Sequence, residues 1–122
     1  MKKRILVVDD EEDIVAILKV RLENSGYEVD CAYDGQEGLE KIRAQKPDLA
    51  IFDIMMPKIN GSTLCGILKF DKRYKDIPII ILTAKGRELD KEIGDTVGAD
   101  AYMVKPFEIQ VLFEVIEDLM PQ

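Results

Sequence analysis

Apolar and polar positions alternate along the chain between two textures. Ile5 to Val8, Leu49 to Phe52 and Ile79 to Leu82 are unbroken apolar runs, whereas the stretches between them repeat apolar residues every three or four positions. A short continuous apolar run suits a strand buried on both faces, and the three-four spacing suits a helix with one dry side. The alternation occurs five times and predicts repeated strand-helix units around a parallel sheet. The three apolar runs are the expected central strands. Tyr27 to Ala32 alternates and is more polar, so it is expected at one edge, with Ala101 to Val104 toward the other. That favours the strand order 2-1-3-4-5.

Helices are expected at about residues 12–25, 35–45, 62–70, 87–97 and 107–119. The last is the clearest. Ile109, Leu112, Phe113, Ile116 and Leu119 mark one face, and Glu114, Glu117 and Asp118 mark the opposite, wet one. Val111 and Val115 lie off that stripe, either widening the core face or offering contacts to a partner. Pro106 and Phe107 open the helix. Ser25-Gly26, Asp34-Gly35, Pro47-Asp48 and Gly98 read as turns between elements. Gly94 lies inside the fourth predicted helix, where glycine costs about 1 kcal/mol relative to alanine. With Leu89, Ile93 and Val97 as its apolar stripe, that helix is expected to dock but to be weakly held, or else to end early. Gly66, within the third predicted helix, has no functional explanation in the sequence.

A chain of 122 residues holds one domain, spanning residues 1–122, with a real hydrophobic core and no linker. Its longest apolar run, Ile77 to Leu82, falls far short of the roughly 18 residues of a membrane span. The basic start, Met1-Lys2-Lys3-Arg4, is followed by Ile5 to Val8, but Asp9 and Asp10 arrive too soon for a secretory signal, so a cytoplasmic location is expected. Cys31 and Cys65 are too few for a disulfide framework and have no histidine beside them for zinc, and both read as buried small hydrophobes. A net charge of −7 repels nucleic-acid phosphates, so direct nucleic-acid binding is not expected of this chain, and the lack of a membrane-length apolar run leaves no membrane partner expected.

Open α/β sheets bind ligands beyond the carboxyl ends of their strands, where the strand order reverses, and here that point lies between the first and third strands. Asp9 and Asp10 leave the first strand there and Asp53 leaves the third. Three converging carboxylates repel one another unless one stays protonated or a cation joins them, and an all-oxygen site with room for water suits Mg²⁺. Thr83 leaves the fourth strand and Lys105 the fifth, adding a hydroxyl and an ammonium at the same end. Each has a bland reading alone: helix cap, loop cap, strand filler, surface charge. Together they supply what phosphoryl transfer to a carboxylate needs, with Asp53 as acceptor, a metal on Asp10, and Thr83 and Lys105 as donors to the remaining oxygens.

The segments Ile5-Leu6-Val7-Val8-Asp9-Asp10-Glu11, Asp53-Ile54-Met55-Met56-Pro57 with Gly61, Ile81-Leu82-Thr83-Ala84, and Gly98-Ala99-Asp100-Ala101-Tyr102 leading to Lys105-Pro106-Phe107 resemble the receiver domain of two-component response regulators. The resemblance runs from Ile5 to about Leu119 and implies a flavodoxin-like doubly wound (βα)5 fold. The 2-1-3-4-5 order is that family's own, so the two signals are not independent. It implies a regulatory phosphoacceptor rather than an enzyme with an external substrate. Asp53 would take its phosphoryl group from a sensor histidine kinase, a histidine phosphotransfer protein or a small phosphodonor. It further implies that Asp10, Asp53 and the backbone carbonyl of Met55 ligate Mg²⁺, that Asp9 acts through a metal-bound water, and that Thr83 and Lys105 bind phosphoryl oxygens. Thr83 and Tyr102 would form the switch, altering the surface of the fourth helix, fifth strand and fifth helix toward a downstream effector or a phosphorylation-dependent dimer. Ala84 would leave access to the acyl phosphate, and Lys105-Pro106 would be cis. Asn60 and Val104 stand where the family commonly has aspartate and threonine, away from the chemistry.

Two other classes compete. A haloacid dehalogenase-type phosphohydrolase needs a second acid two residues after its nucleophile, where this chain has Met55. A phosphorylation-independent binding module of the same fold has no need of the acidic cluster, which is intact here. The starting methionine and the end just past the last helix favour a stand-alone receiver, although a domain cut at its boundary would look the same.

Overall fold

The structure, a computed structural model, describes residues 2–84 and 98–120, with only the backbone of Ala84. The predicted helix at 87–97, with Leu89, Ile93, Gly94 and Val97, lies outside the described residues, as does the side chain of Ala84.

The apolar runs become strands: β1 (Arg4–Val8), β2 (Glu28–Ala32), β3 (Leu49–Asp53), β4 (Ile79–Ala84) and β5 (Ala101–Lys105). They form one sheet in the order β2-β1-β3-β4-β5, with every pairing parallel. Four helices are described: α1 (Glu12–Asn24), α2 (Gly35–Ala44), α3 (Gly61–Lys69) and a C-terminal helix (Ile109–Leu119). The two-residue period of a strand sends successive side chains to opposite faces. Leu6, Val8, Ala50, Phe52, Ile79 and Ile81 therefore pack on one side with residues of α2 and α3. Their neighbours Ile5, Val7, Leu49, Ile51, Ile80 and Leu82 pack on the other with α1 and the C-terminal helix. Each large side chain so buried contributes about 1.5–3 kcal/mol, and this double burial is why the central strands are apolar throughout.

Polar side chains set the element boundaries. The Asp34 carboxylate accepts from Glu37 N–H at 2.8 Å at the start of α2. Asn60 does the same for Thr63 N–H at 2.8 Å at the start of α3, so the asparagine serves as a helix cap. Gly26 and Gly98 take φ values of +99° and +87°, which side chains with a Cβ rarely adopt. The Asp48 carboxylate accepts from Arg4 N–H at 2.8 Å, tying the turn before β3 to β1.

Three expectations need correction. The C-terminal helix begins at Ile109, because Glu108 is still extended, and Pro106 and Phe107 belong to the approach. Cys31 is only half-buried, since β2 is an edge strand, whereas Cys65 is fully buried in α3. Thr83 lies inside β4, fully buried, because that strand runs on to Ala84. Val115 joins the core while Val111 stays 43% exposed, so the two readings of that pair divide between them. The Lys105-Pro106 peptide is cis.

Candidate functional site

Asp53 ends β3, and Asp9 and Asp10 follow the end of the neighbouring β1. Each can offer a carboxylate oxygen within 4.8 Å of the other two. Asp9 is wholly buried and Asp53 is 6% exposed, while Asp10 lies at the surface. An Asp9 oxygen accepts from Glu11 N–H at 2.9 Å, so Asp9 also shapes the entry to α1. The N-cap position of α1 is Glu11 and carries no side-chain capping bond, so Asp9 is not the helix cap of its bland reading.

Lys105, the last residue of β5, reaches across β4 and β3 into the acids. Its Nζ lies 2.7 Å from Asp9 Oδ2, 3.0 Å from Glu11 Oε1 and 3.6 Å from Asp53 Oδ2. Thr83 stands one residue beyond Leu82, which pairs with Asp53 across the β3–β4 ladder. The hydroxyl-bearing residue is therefore on the adjacent strand, one step nearer the carboxyl end. Met55 N–H points at Asp53 Oδ1 at 3.4 Å, and its side chain is half exposed. Tyr102, in β5 beside Ile81, is partly buried against the core on the α2–α3 side.

Charge at the site is out of balance. Burial first, and then the negative charge of Asp9, push the Asp53 carboxyl up to about 6, with Lys105 and the Met55 N–H offsetting only part of the rise. Asp9 is also raised, because burial outweighs its hydrogen bonds from Lys105 and Glu11 N–H. Burial pulls Lys105 downward, but its bonds to Asp9 and Glu11 and the charges of Asp9 and Asp53 win, and it stays firmly cationic. One ammonium faces three clustered carboxylates. A hard divalent cation fits this donor set, because every available ligand atom is oxygen and the surplus charge is negative.

Glu11 and an apolar groove were not foreseen. Glu11 holds Lys105 from the solvent side, and its position directly after Asp9-Asp10 was the available hint. The groove, of about 530 Å³, is lined by Ile14, Ile17 and Leu18 of α1 and by Pro106, Phe107 and Ile109, with Glu11 and Lys105 also on its wall. Its signal in the sequence was Ile17, an isoleucine off the buried Val15-Leu18-Leu22 stripe and 59% exposed.

The response regulator receiver domain family matches residues 5–117. The chain belongs to that family. Among relatives of this receiver, the alkaline phosphatase synthesis transcriptional regulatory protein PhoP of Bacillus subtilis (strain 168) is 51% identical over 107 residues, covering 88% of this chain and 44% of PhoP. The receiver thus spans less than half the length of that relative. The chemotaxis response regulator CheY4 of Vibrio cholerae superposes with a TM-score of 0.91 at 32% identity, covering 98% of this chain and 100% of CheY4. A CheY-like receiver domain protein from Methanospirillum hungatei JF-1 gives a TM-score of 0.89 at 36% identity, covering 97% of this chain and 93% of that one. The sheet order and the doubly wound architecture are those of CheY-like receivers.

Proposed function

We propose that residues 1–122 form a single receiver domain in which Asp53 is the phosphoacceptor of a Mg²⁺-dependent signalling switch. The observation that carries this is the meeting of Asp9, Asp10 and Asp53 within 4.8 Å, with Lys105 Nζ 3.6 Å from Asp53. Asp10, Asp53 and the Met55 carbonyl would hold the ion, with Asp9 acting through a water. The chemistry such an ion would supply is neutralisation of charge on the phosphoryl oxygens. An ionised Asp53 oxygen attacks phosphorus; the O–P bond forms as the P–N bond of a phosphohistidine breaks, and the imidazole keeps the electron pair and takes a proton. With acetyl phosphate the P–O bond breaks and acetate leaves. Lys105 pairs with one phosphoryl oxygen and Thr83 donates to another, with Tyr102 following Thr83 inward and altering the surface around β5 and the C-terminal helix for an effector or a second copy.

The donor is a sensor histidine kinase or a histidine phosphotransfer protein, seated in the groove between α1 and Phe107, which shares Lys105 with the acidic cluster. The receiver promotes its own phosphorylation and dephosphorylation without turning over another substrate, and it works in the cytoplasm. Met55 leaves no acid for a leaving group, which sets the reading apart from a phosphohydrolase. The test is incubation with Mg²⁺ and acetyl phosphate followed by intact mass measurement. The wild type should gain one phosphoryl mass and Asp53→Asn none; an unlabelled wild type would overturn the assignment.

A further inference from the structure

Residues 54–60 connect β3 to α3 and carry the Met55 carbonyl, and both ends of the segment are tied down. Ile54 N–H donates to Leu82 O at 2.8 Å, and Gly61 N–H donates to Ile54 O at 2.9 Å. A Cβ on Gly61 would stand 2.3 Å from Asp53 O, so only glycine lets α3 start this close to the strand end. The middle of the segment rests on the start of α2. A Cβ on Gly35 would lie 1.8 Å from Ile59 O and 2.7 Å from Ile59 C. Gly35 N–H faces Pro57 O at 3.5 Å, and the Asp34 carboxylate that caps α2 lies 3.5 Å from Lys58 Nζ. Lys58 has φ +69°, the left-handed region, which is unfavourable for a non-glycine residue and persists only where its surroundings hold it.

We propose that Gly35 and Lys58 are positioning residues for the metal. The bare backbone of Gly35 gives the loop its seat, the left-handed turn at Lys58 gives it its direction, and together they aim the Met55 carbonyl. Neither residue touches the ion or the phosphoryl group. The inference rests on the Mg²⁺ reading above. Mg²⁺ demands near-octahedral oxygens at about 2.0–2.1 Å, so its affinity responds to small displacements of one ligand. A methyl group at Gly35 would drive the Ile59 backbone back by more than about 1 Å before the contact became tolerable. Proline at position 58 excludes the left-handed turn, whereas glycine there adopts it freely.

Calorimetric Mg²⁺ titration without phosphodonor tests this, with melting curves in EDTA to report folding. Gly35→Ala and Lys58→Pro should each weaken Mg²⁺ binding at least fivefold, while Lys58→Gly stays within twofold of wild type. Labelling by acetyl phosphate at saturating Mg²⁺ should return to within twofold for all three. Lys58 is exposed, so Lys58→Pro remains a folded test if Gly35→Ala is not. No Mg²⁺ binding by the wild type would overturn the metal reading and this inference with it. A binding wild type with unweakened Lys58→Pro would overturn the positioning role alone. So would equal weakening by Lys58→Gly and Lys58→Pro, which would make the lysine side chain responsible.

Discussion

At Asp53, burial and neighbouring charge oppose the ionised form, and the consequence for stability has a definite sign. Its folded-state pKa of about 6 lies above its ordinary value of 3.8. Between those values the native state binds more protons than the unfolded state, so stability falls as pH rises from about 4 to 6. The cost at neutral pH is on the order of 3 kcal/mol at most, shared with Asp9 and Lys105. In EDTA, Asp53→Asn should therefore unfold at higher urea concentration than wild type at pH 7 and lose most of that advantage at pH 4. An advantage independent of pH would sink the explanation. Added Mg²⁺ should offset most of the Asp53→Asn advantage at pH 7, stabilising the wild type by about 2.7 kcal/mol at one hundred times its dissociation constant. The members of this cluster were legible in the sequence, because strand order alone fixes which residues emerge at the carboxyl ends. Their pairing was not. Lys105 prefers Asp9 at 2.7 Å to Asp53 at 3.6 Å, a difference set by side-chain placement and invisible to spacing.

Among the described elements, periodicity read correctly where a face is fully buried and less well at ends and edges. Asn60 and Asp34 start their helices by local hydrogen bonds, a signal that sequence carries, and the predicted starts of α2 and α3 fall within one residue. The edge strand β2 was legible as polar, but the use of that polarity was not. Cys31 N–H donates to Asp30 Oδ1 at 3.0 Å and its carbonyl accepts from Lys41 Nζ, so side chains occupy two backbone groups of the edge strand. Gly38 shows where packing overrides propensity. Alanine in the middle of α2 would gain about 1 kcal/mol of intrinsic helix stability. Its Cβ would stand only 3.0 and 3.2 Å from the Val8 methyl carbons, and a buried β-branched valine is stiff at χ1 and yields at a cost. Gly38→Ala should thus lower stability by about 1 kcal/mol, and Gly38→Ala with Val8→Ala should show favourable coupling between the two sites in a double-mutant cycle. Stabilisation by Gly38→Ala alone would mean that α2 can shift outward at little cost.

For the molecule as a whole, the proposed phosphoacceptor and the groove beside it would make separable demands on a donor. On the proposed reading, a small phosphodonor would have only to reach Asp53, whereas a protein donor would also cover the apolar surface next to Lys105, where Ile14, Ile17 and Phe107 line the groove. That surface could not be read from the sequence, because it forms where α1 meets the segment after β5, some ninety residues further along the chain. Ile17 is 59% exposed, so Ile17→Glu leaves the core intact and should change stability by no more than about 0.5 kcal/mol. It places a charge where an apolar anchor would seat, beside Glu11, and that charge would have to be desolvated without a partner. With any phosphohistidine protein that labels the wild type, Ile17→Glu should lower the rate of transfer at subsaturating donor by tenfold or more. With acetyl phosphate it should leave the rate unchanged. Equal loss with both donors would place the effect at the acceptor chemistry, and no loss with the protein donor would mean that the groove is not its seat.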